Sequence, residues 1–200
     1  MDTLLHGKLG YVLGKELKED YQDISIGYFI YGNMLPDLSP RYRFSMHSKK
    51  KNWKDALRLM EELLLKSHKL SIRSKSIKFG MMTHYLCDFF TFPHNDGYTD
   101  SIIQHEIYEQ LQRIIFWNKI KDVWEEFEDE TKVKLRTFED ILVYIEDMHS
   151  IYNNNKSDKK RDLQFISILV RVVCPSLLAL MRVEIKEKKV SPILLNASSL

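Results

Sequence analysis

Five residues in the middle of the chain are spaced for metal chelation: His84, Asp88, His94, His105 and Glu109. His84 and Asp88 stand four positions apart, and so do His105 and Glu109. Four residues is about one turn of α-helix, so each pair presents both side chains on one face. An imidazole nitrogen and a carboxylate oxygen at that spacing chelate zinc or a similar borderline metal. Two such pairs, with His94 between them, supply more ligands than one ion usually takes from protein. The pattern therefore reads as a site for more than one metal. Upstream, His6, Asp37 and His47 offer three further ligands of the same types.

The elements that must position these residues are helical. There is no convincing stretch of strict alternation, glycines number only seven, and hairpin signals are few. The periodicity predicts helices over about 4–19, 23–31, 52–69, 71–90, 98–119, 136–152 and 160–187. Thr99 or Asp100 is expected to cap the fifth of these and Asp162 the last. Pro36 and Pro40 bracket Asp37, in a segment expected not to be regular helix. Residues 92–97 read as a turn that holds His94. Residues 153–160 read as an exposed loop, not a domain boundary. His84 and Asp88 then fall near the C-terminal end of one helix, His105 and Glu109 in the next, and His94 in the connection. An antiparallel helix pair with a short link can gather all five around one point.

Bulk properties narrow the class. Two hundred residues fit one domain spanning 1–200. Hydrophobic residues at 44%, aromatics at 12% and charged residues at 29% are the profile of a globular protein in water. A net charge of +2 is too close to neutral to argue for nucleic-acid or membrane partners. Cys87 and Cys174 are the only cysteines, and they read as unpaired buried thiols. Residues 1–10 carry Asp2, His6 and Lys8 and no long apolar stretch, so no signal peptide is expected in the chain as given, and a cytoplasmic location is expected. The apolar run 166–181 contains Arg171 and Pro175 and is shorter than the roughly 20 residues that span a bilayer. It reads as a buried core helix, with no transmembrane segment expected.

With these residues in view, the chain resembles the zinc-dependent phospholipase C family, whose superfamily also holds the single-strand nucleases of the P1 type. The family pattern is a His near the N-terminus, an Asp after Pro, a His, then His-Tyr-x-x-Asp, a His six residues later, and His-x-x-x-Glu. Here these are His6, Asp37 in Gly32-Asn33-Met34-Leu35-Pro36-Asp37, His47, His84-Tyr85-Leu86-Cys87-Asp88, His94, and His105 with Glu109. The resemblance implies an all-α multi-helix bundle and two or three zinc ions. It implies that Asp37, His47, His84 and Asp88 hold a first ion and His94, His105 and Glu109 a second. Asp88 would bridge to a third ion, also bound by His6 and the N-terminal residue. The same donors accept iron, manganese or nickel. Asp37 is the first candidate for the catalytic carboxylate that orients or deprotonates the attacking water. Two departures stand out. The family's mature chains usually begin with Trp, where this chain has Met1-Asp2. The phospholipases often carry an aromatic just after the first-site Asp, as part of a choline pocket, where this chain has Leu38.

Other residues have plainer readings. His68 and His149 are expected to be structural or surface residues, and Asn95, Asp96 and Asp100 turn or cap residues. Phe89, Phe90 and Phe92 are expected to fill the core more than to wall a substrate site. Trp53, Trp117 and Trp124 are read as structural, and Lys49, Lys50 and Lys51 as a solvated helix start. The functional expectation is a metal-dependent phosphodiesterase acting on a phospholipid or other phosphodiester, with no stable nucleic-acid partner and the oligomeric state open. A P1-type nuclease and a metal-binding interaction protein without catalysis are the alternatives. In the nuclease branch the closing ligand is typically Asp, so Glu109 favours the phospholipase.

Overall fold

The computed structural model describes residues 1–39, 48–95, 98, 101–154 and 158–197, with side chains to 183. His47, Pro40, Asp96, Gly97, Thr99 and Asp100 therefore lie outside the described residues. The helices are α1 (Thr3–Asp20), α2 (Ile26–Leu38), α3 (Lys49–Lys66), α4 (Ile72–Phe89), α5 (Ile102–Phe116), α6 (Ile120–Glu126), α7 (Phe138–Asn153) and α8 (Lys159–Ala197). Short 3₁₀ turns lie at Ser67–Lys69, Phe92–His94 and Asp129–Lys132, and the described residues contain no strand. The protein is all-α.

Three helices form the layer beneath the site. α2 packs against α1 on one side and α4 on the other. The α2–α4 approach is backbone on backbone. A Cβ on Gly32 would sit 2.2 Å from the Ile77 carbonyl oxygen, and one on Gly80 would sit 2.3 Å from that of Phe29. Only glycine permits this spacing, and it brings the carbonyl of Asn33 up to the ring of His84. The other main element is α8, which packs against α3, α4, α6 and α7. Ile166, Leu169, Val170, Val173, Cys174, Leu177 and Leu178 along it are all buried. By length and composition, Lys159–Val183 could cross a membrane, yet 72% of the most apolar window is buried inside the fold. Arg171 is tied down by Glu16 and by the carbonyl of Trp124.

Several local expectations are corrected. Asp37 lies in the last turn of α2, which runs through Pro36. A proline two residues from a helix end removes one backbone bond and leaves the rest intact, so the ring did not break the helix as expected. α5 is capped by Ser101, whose side chain accepts from Gln104 N while Gln104 bonds back to the Ser101 N–H, a capping box the sequence reading passed over. α6 has no counterpart among the expected helices, because its seven residues carry too little periodicity to register. Asp162 is not the cap of α8; it lies inside the helix with its carboxylate turned into the core. The core readings of Phe89 and Phe90 hold, Trp124 is buried as its structural reading expects, and both cysteines are free and buried. Trp117 departs from its structural reading: it is among the exposed large hydrophobics.

Candidate metal centre

The centre forms where the start of α1, the end of α2, the end of α4, the Phe92–His94 turn and the first half of α5 meet. Asp2 caps α1 by accepting from Leu5 N, which seats the chain's first residue in the interior. Asp88 is the hub. Its Oδ1 lies 2.9 Å from the Met1 amino group and 3.0 Å from His6 Nε2, and 3.8 Å from His94 Nε2. Its Oδ2 lies 3.2 Å from His84 Nε2. On the α5 side, Glu109 Oε1 is faced by three nitrogens: His94 Nε2 at 3.0 Å, His105 Nε2 at 3.1 Å and the Met1 amine at 3.1 Å. Each i, i+4 pair thus shares one face, as its spacing requires, and packing turns that face inward.

Of the eight sequence-derived ligand candidates, seven fall in the described residues and all seven converge here. They divide into two groups whose ligand-type atoms lie within 4.8 Å of one another: His6, Asp37 and His84, and His94, His105 and Glu109. Asp88 stands between them. The second group is the trio expected to share an ion. In the first, His6 joins Asp37 and His84, its ring stacked on that of His84 with centroids 3.8 Å apart. His6 also contacts Asp88, the partner expected for it.

The electrostatics keep both central carboxylates ionised. Burial alone would push the Asp88 carboxyl up, but His94, the amino group, His84 and His6 around it hold it well below the ordinary carboxylate range. Glu109 is lowered in the same way: burial opposes, and the amino group, His105 and His94 prevail. Burial would lower the Met1 amine, yet Asp88 and Glu109 raise it to about 11. His84 is raised, Asp88 and Asp37 outweighing burial, whereas burial and the neighbouring His84 lower His6.

The donor set fits a divalent metal on geometric grounds. The Asn33 carbonyl can only accept, so His84 Nδ1, 2.8 Å away, carries the hydrogen. His84 Nε2 is left facing Asp88 Oδ2 and, at 3.7 Å, Asp37 Oδ1. Those contacts are favourable only with positive charge between them, as a proton or a metal. Asp88 Oδ2, His6 Nδ1 and His94 Nδ1 are buried and make no hydrogen bond, spare capacity of a kind folds rarely leave.

The surrounding groups hold the ligands. Thr3 Oγ1 donates to Asp37 Oδ2 at 3.0 Å. Asn95 Nδ2 donates to the carbonyls of Phe89 and Thr91, and His149 Nε2 bonds Asn95 Oδ1, so the turn bearing His94 is tied from both ends. Asp162 accepts from Tyr152 OH at 2.6 Å, Tyr108 OH at 2.8 Å, Gln112 Nε2 at 2.9 Å and, at 3.4 Å, Phe92 N. Burial raises its pKa to about 6 even against the bonds from Tyr152 and Tyr108. This hub links the His94 turn to the helix of His105 and Glu109, and the sequence reading missed it. An Asp in the first turn of an apolar helix was the available signal. A cavity of about 260 Å³ lined by Asp2, Thr3, Leu4, Glu106, Glu109, Gln110 and Arg113 opens onto the Glu109 side.

A family model described as zinc dependent phospholipase C matches residues 7–159. The matched stretch carries every ligand candidate except His6, which lies one residue before it. No curated protein and no solved structure matches the chain.

Proposed function

The chain belongs to the zinc-dependent phospholipase C family, and on that premise we propose that it is a metal-dependent phosphodiesterase hydrolysing a phospholipid or related phosphodiester. The observation that carries the reading is the pair of ligand groups, each within 4.8 Å, on either side of a buried Asp88. We assign His6, Asp37, His84, Asp88, His94, His105 and Glu109 as ligands of two or three ions, zinc by family and iron, manganese or nickel by donor type, with His47 as a further ligand. Bound there, a divalent ion supplies Lewis acidity to water and to phosphoryl oxygens.

The chain's own groups set the geometry of the reaction. Asp37 is the half-buried carboxylate of its group, and Thr3 pins one oxygen while the other faces the cluster. That leaves Asp37 placed to orient a water entering from the rim and to take its proton. Arg113, held by Asp2 at 2.9 Å, lines the cavity beside Glu109. Its guanidinium is the cation at hand for a non-bridging phosphate oxygen. Phe89 and Phe90, fully buried, do not meet the substrate; Leu38 and Leu4 are exposed near the site and supply apolar contact.

The test is elemental analysis of protein purified without added metal, followed by turnover of bis(p-nitrophenyl) phosphate, phospholipid vesicles and single-stranded DNA. The expected result is bound zinc or a related metal, diester turnover lost in Asp37→Asn, and lipid cleaved faster than DNA. Faster DNA cleavage turns the reading to a nuclease. Metal without turnover of any of the three turns it to a binding protein.

A further inference from the structure

α5 turns its ligand face inward and an apolar face outward. Ile103, Ile107 and Ile114 share the side opposite Glu109, with Leu111 beside them. Ile102 is 81% exposed, Ile103 72% and Ile114 72%, and Ile107 and Leu111 are exposed as well. An exposed ridge of four branched aliphatic residues, with Ile102 exposed at the helix start, is more than the scattered apolar surface normal to a soluble domain. The parallel stripe on α1 is Leu4, Lys8, Tyr11 and Lys15, at helical spacing along its outer side. The two stripes join. Leu4, Arg113, Ile114 and Trp117 line one concavity of about 300 Å³, and Lys8 Nζ lies 5.3 Å from the Trp117 ring. Lys15 Nζ lies 4.8 Å from the Tyr11 ring.

This is the composition of a bilayer contact: aliphatic side chains to enter the acyl boundary, an exposed Trp and Tyr at headgroup level, and lysines around them. The net charge of +2 conceals it, because the relevant quantity is the local charge of Lys8 and Lys15, which complements an anionic surface. The face is also in the right place. Leu4 and Arg113 line both this concavity and the cavity that opens onto Glu109.

We propose that the outer faces of α1 and α5 dock the protein on an anionic lipid surface, with Ile103, Ile107, Leu111 and Ile114 entering the bilayer and Lys8 and Lys15 meeting the headgroups. The orientation rests on the phosphodiesterase reading, since it sets the opening beside Glu109 against the layer that holds the substrate.

The test is co-sedimentation of the full chain with vesicles of equimolar phosphatidylcholine and phosphatidylglycerol, and with phosphatidylcholine alone. The wild type is expected to bind the anionic vesicles. Ile103→Ser with Ile114→Ser should weaken that binding about tenfold. Lys8→Gln with Lys15→Gln should weaken it about fivefold per lysine and leave binding to neutral vesicles little changed. Both double variants should hydrolyse soluble bis(p-nitrophenyl) phosphate like the wild type, which also shows that they fold. Absence of binding to anionic vesicles, or variants that bind like the wild type, overturns the proposal. So does a wild-type dimer in sedimentation velocity that the isoleucine variant breaks, since the face is then an interface between two copies. Turnover of the soluble diester without vesicle binding removes the docking face alone. Vesicle binding without turnover removes the enzyme reading and leaves the docking face standing.

Discussion

Replacing Asp88 by Asn changes one oxygen to an amide in a side chain that is completely buried, so shape is kept and charge is lost. Four nitrogens surround that carboxylate, the nearest being the Met1 amine at 2.9 Å. At an effective dielectric of about 20, that one contact is worth roughly 6 kcal/mol of Coulomb attraction. Desolvation of both partners offsets part of it, and breaking a buried pair costs about 3–5 kcal/mol net because the surviving charge is stranded. For a chain of this size each kcal/mol shifts the melting temperature about 2–4 °C. The metal-free variant should therefore melt about 6–20 °C lower. Metal affinity should fall by more than about 100-fold, beyond the 10–100-fold typical when a partner of a ligand is removed. The assay is differential scanning calorimetry in excess chelator, with zinc titration against a competing chelator, and exposed His68→Ala as control. A metal-free melting temperature within about 2 °C of wild type, together with unchanged stoichiometry, refutes the hub role of Asp88.

Two further outcomes follow from groups outside the ligand set. Gly80→Ala pits two effects of opposite sign against each other: helix propensity alone favours alanine by about 1 kcal/mol, but the new Cβ would lie 2.3 Å from the Phe29 carbonyl and 2.7 Å from Asn33 N. The clash should win, with a loss of about 1–3 kcal/mol and weaker metal binding as Asn33 O is pushed from His84; a more stable variant shows that the α2–α4 contact yields freely. Asp162 has a folded pKa of about 6, above the 3.8 of an aspartate in water, so the folded state holds the proton more tightly and this carboxyl's contribution to stability falls as pH rises from about 4 to about 6. The difference is about 3 kcal/mol, and denaturant melts across that window should show it in the metal-free wild type and lose it in Asp162→Asn.

The order and spacing of ligands were legible because chelation by helical residues is local chemistry. A four-residue offset puts two side chains on one face whatever the rest of the chain does, so His84 with Asp88 and His105 with Glu109 could be paired from sequence, as could the all-α class and the burial of the 166–181 run. Tertiary structure decided what spacing along the chain does not encode. Asp37, in the last turn of α2, reaches His84 because Gly32 and Gly80 let two backbones touch, a contact between segments more than forty residues apart. His6 joins Asp37 and His84 because α1 packs on α2 in a register set by side-chain shape. Asp162, read as a cap, became a buried acceptor because Tyr108, Gln112 and Tyr152 arrive on two other helices. Trp117, read as structural, faces outward with the isoleucines of α5, since periodicity shows that a helix has an apolar stripe and packing alone determines whether that stripe is covered.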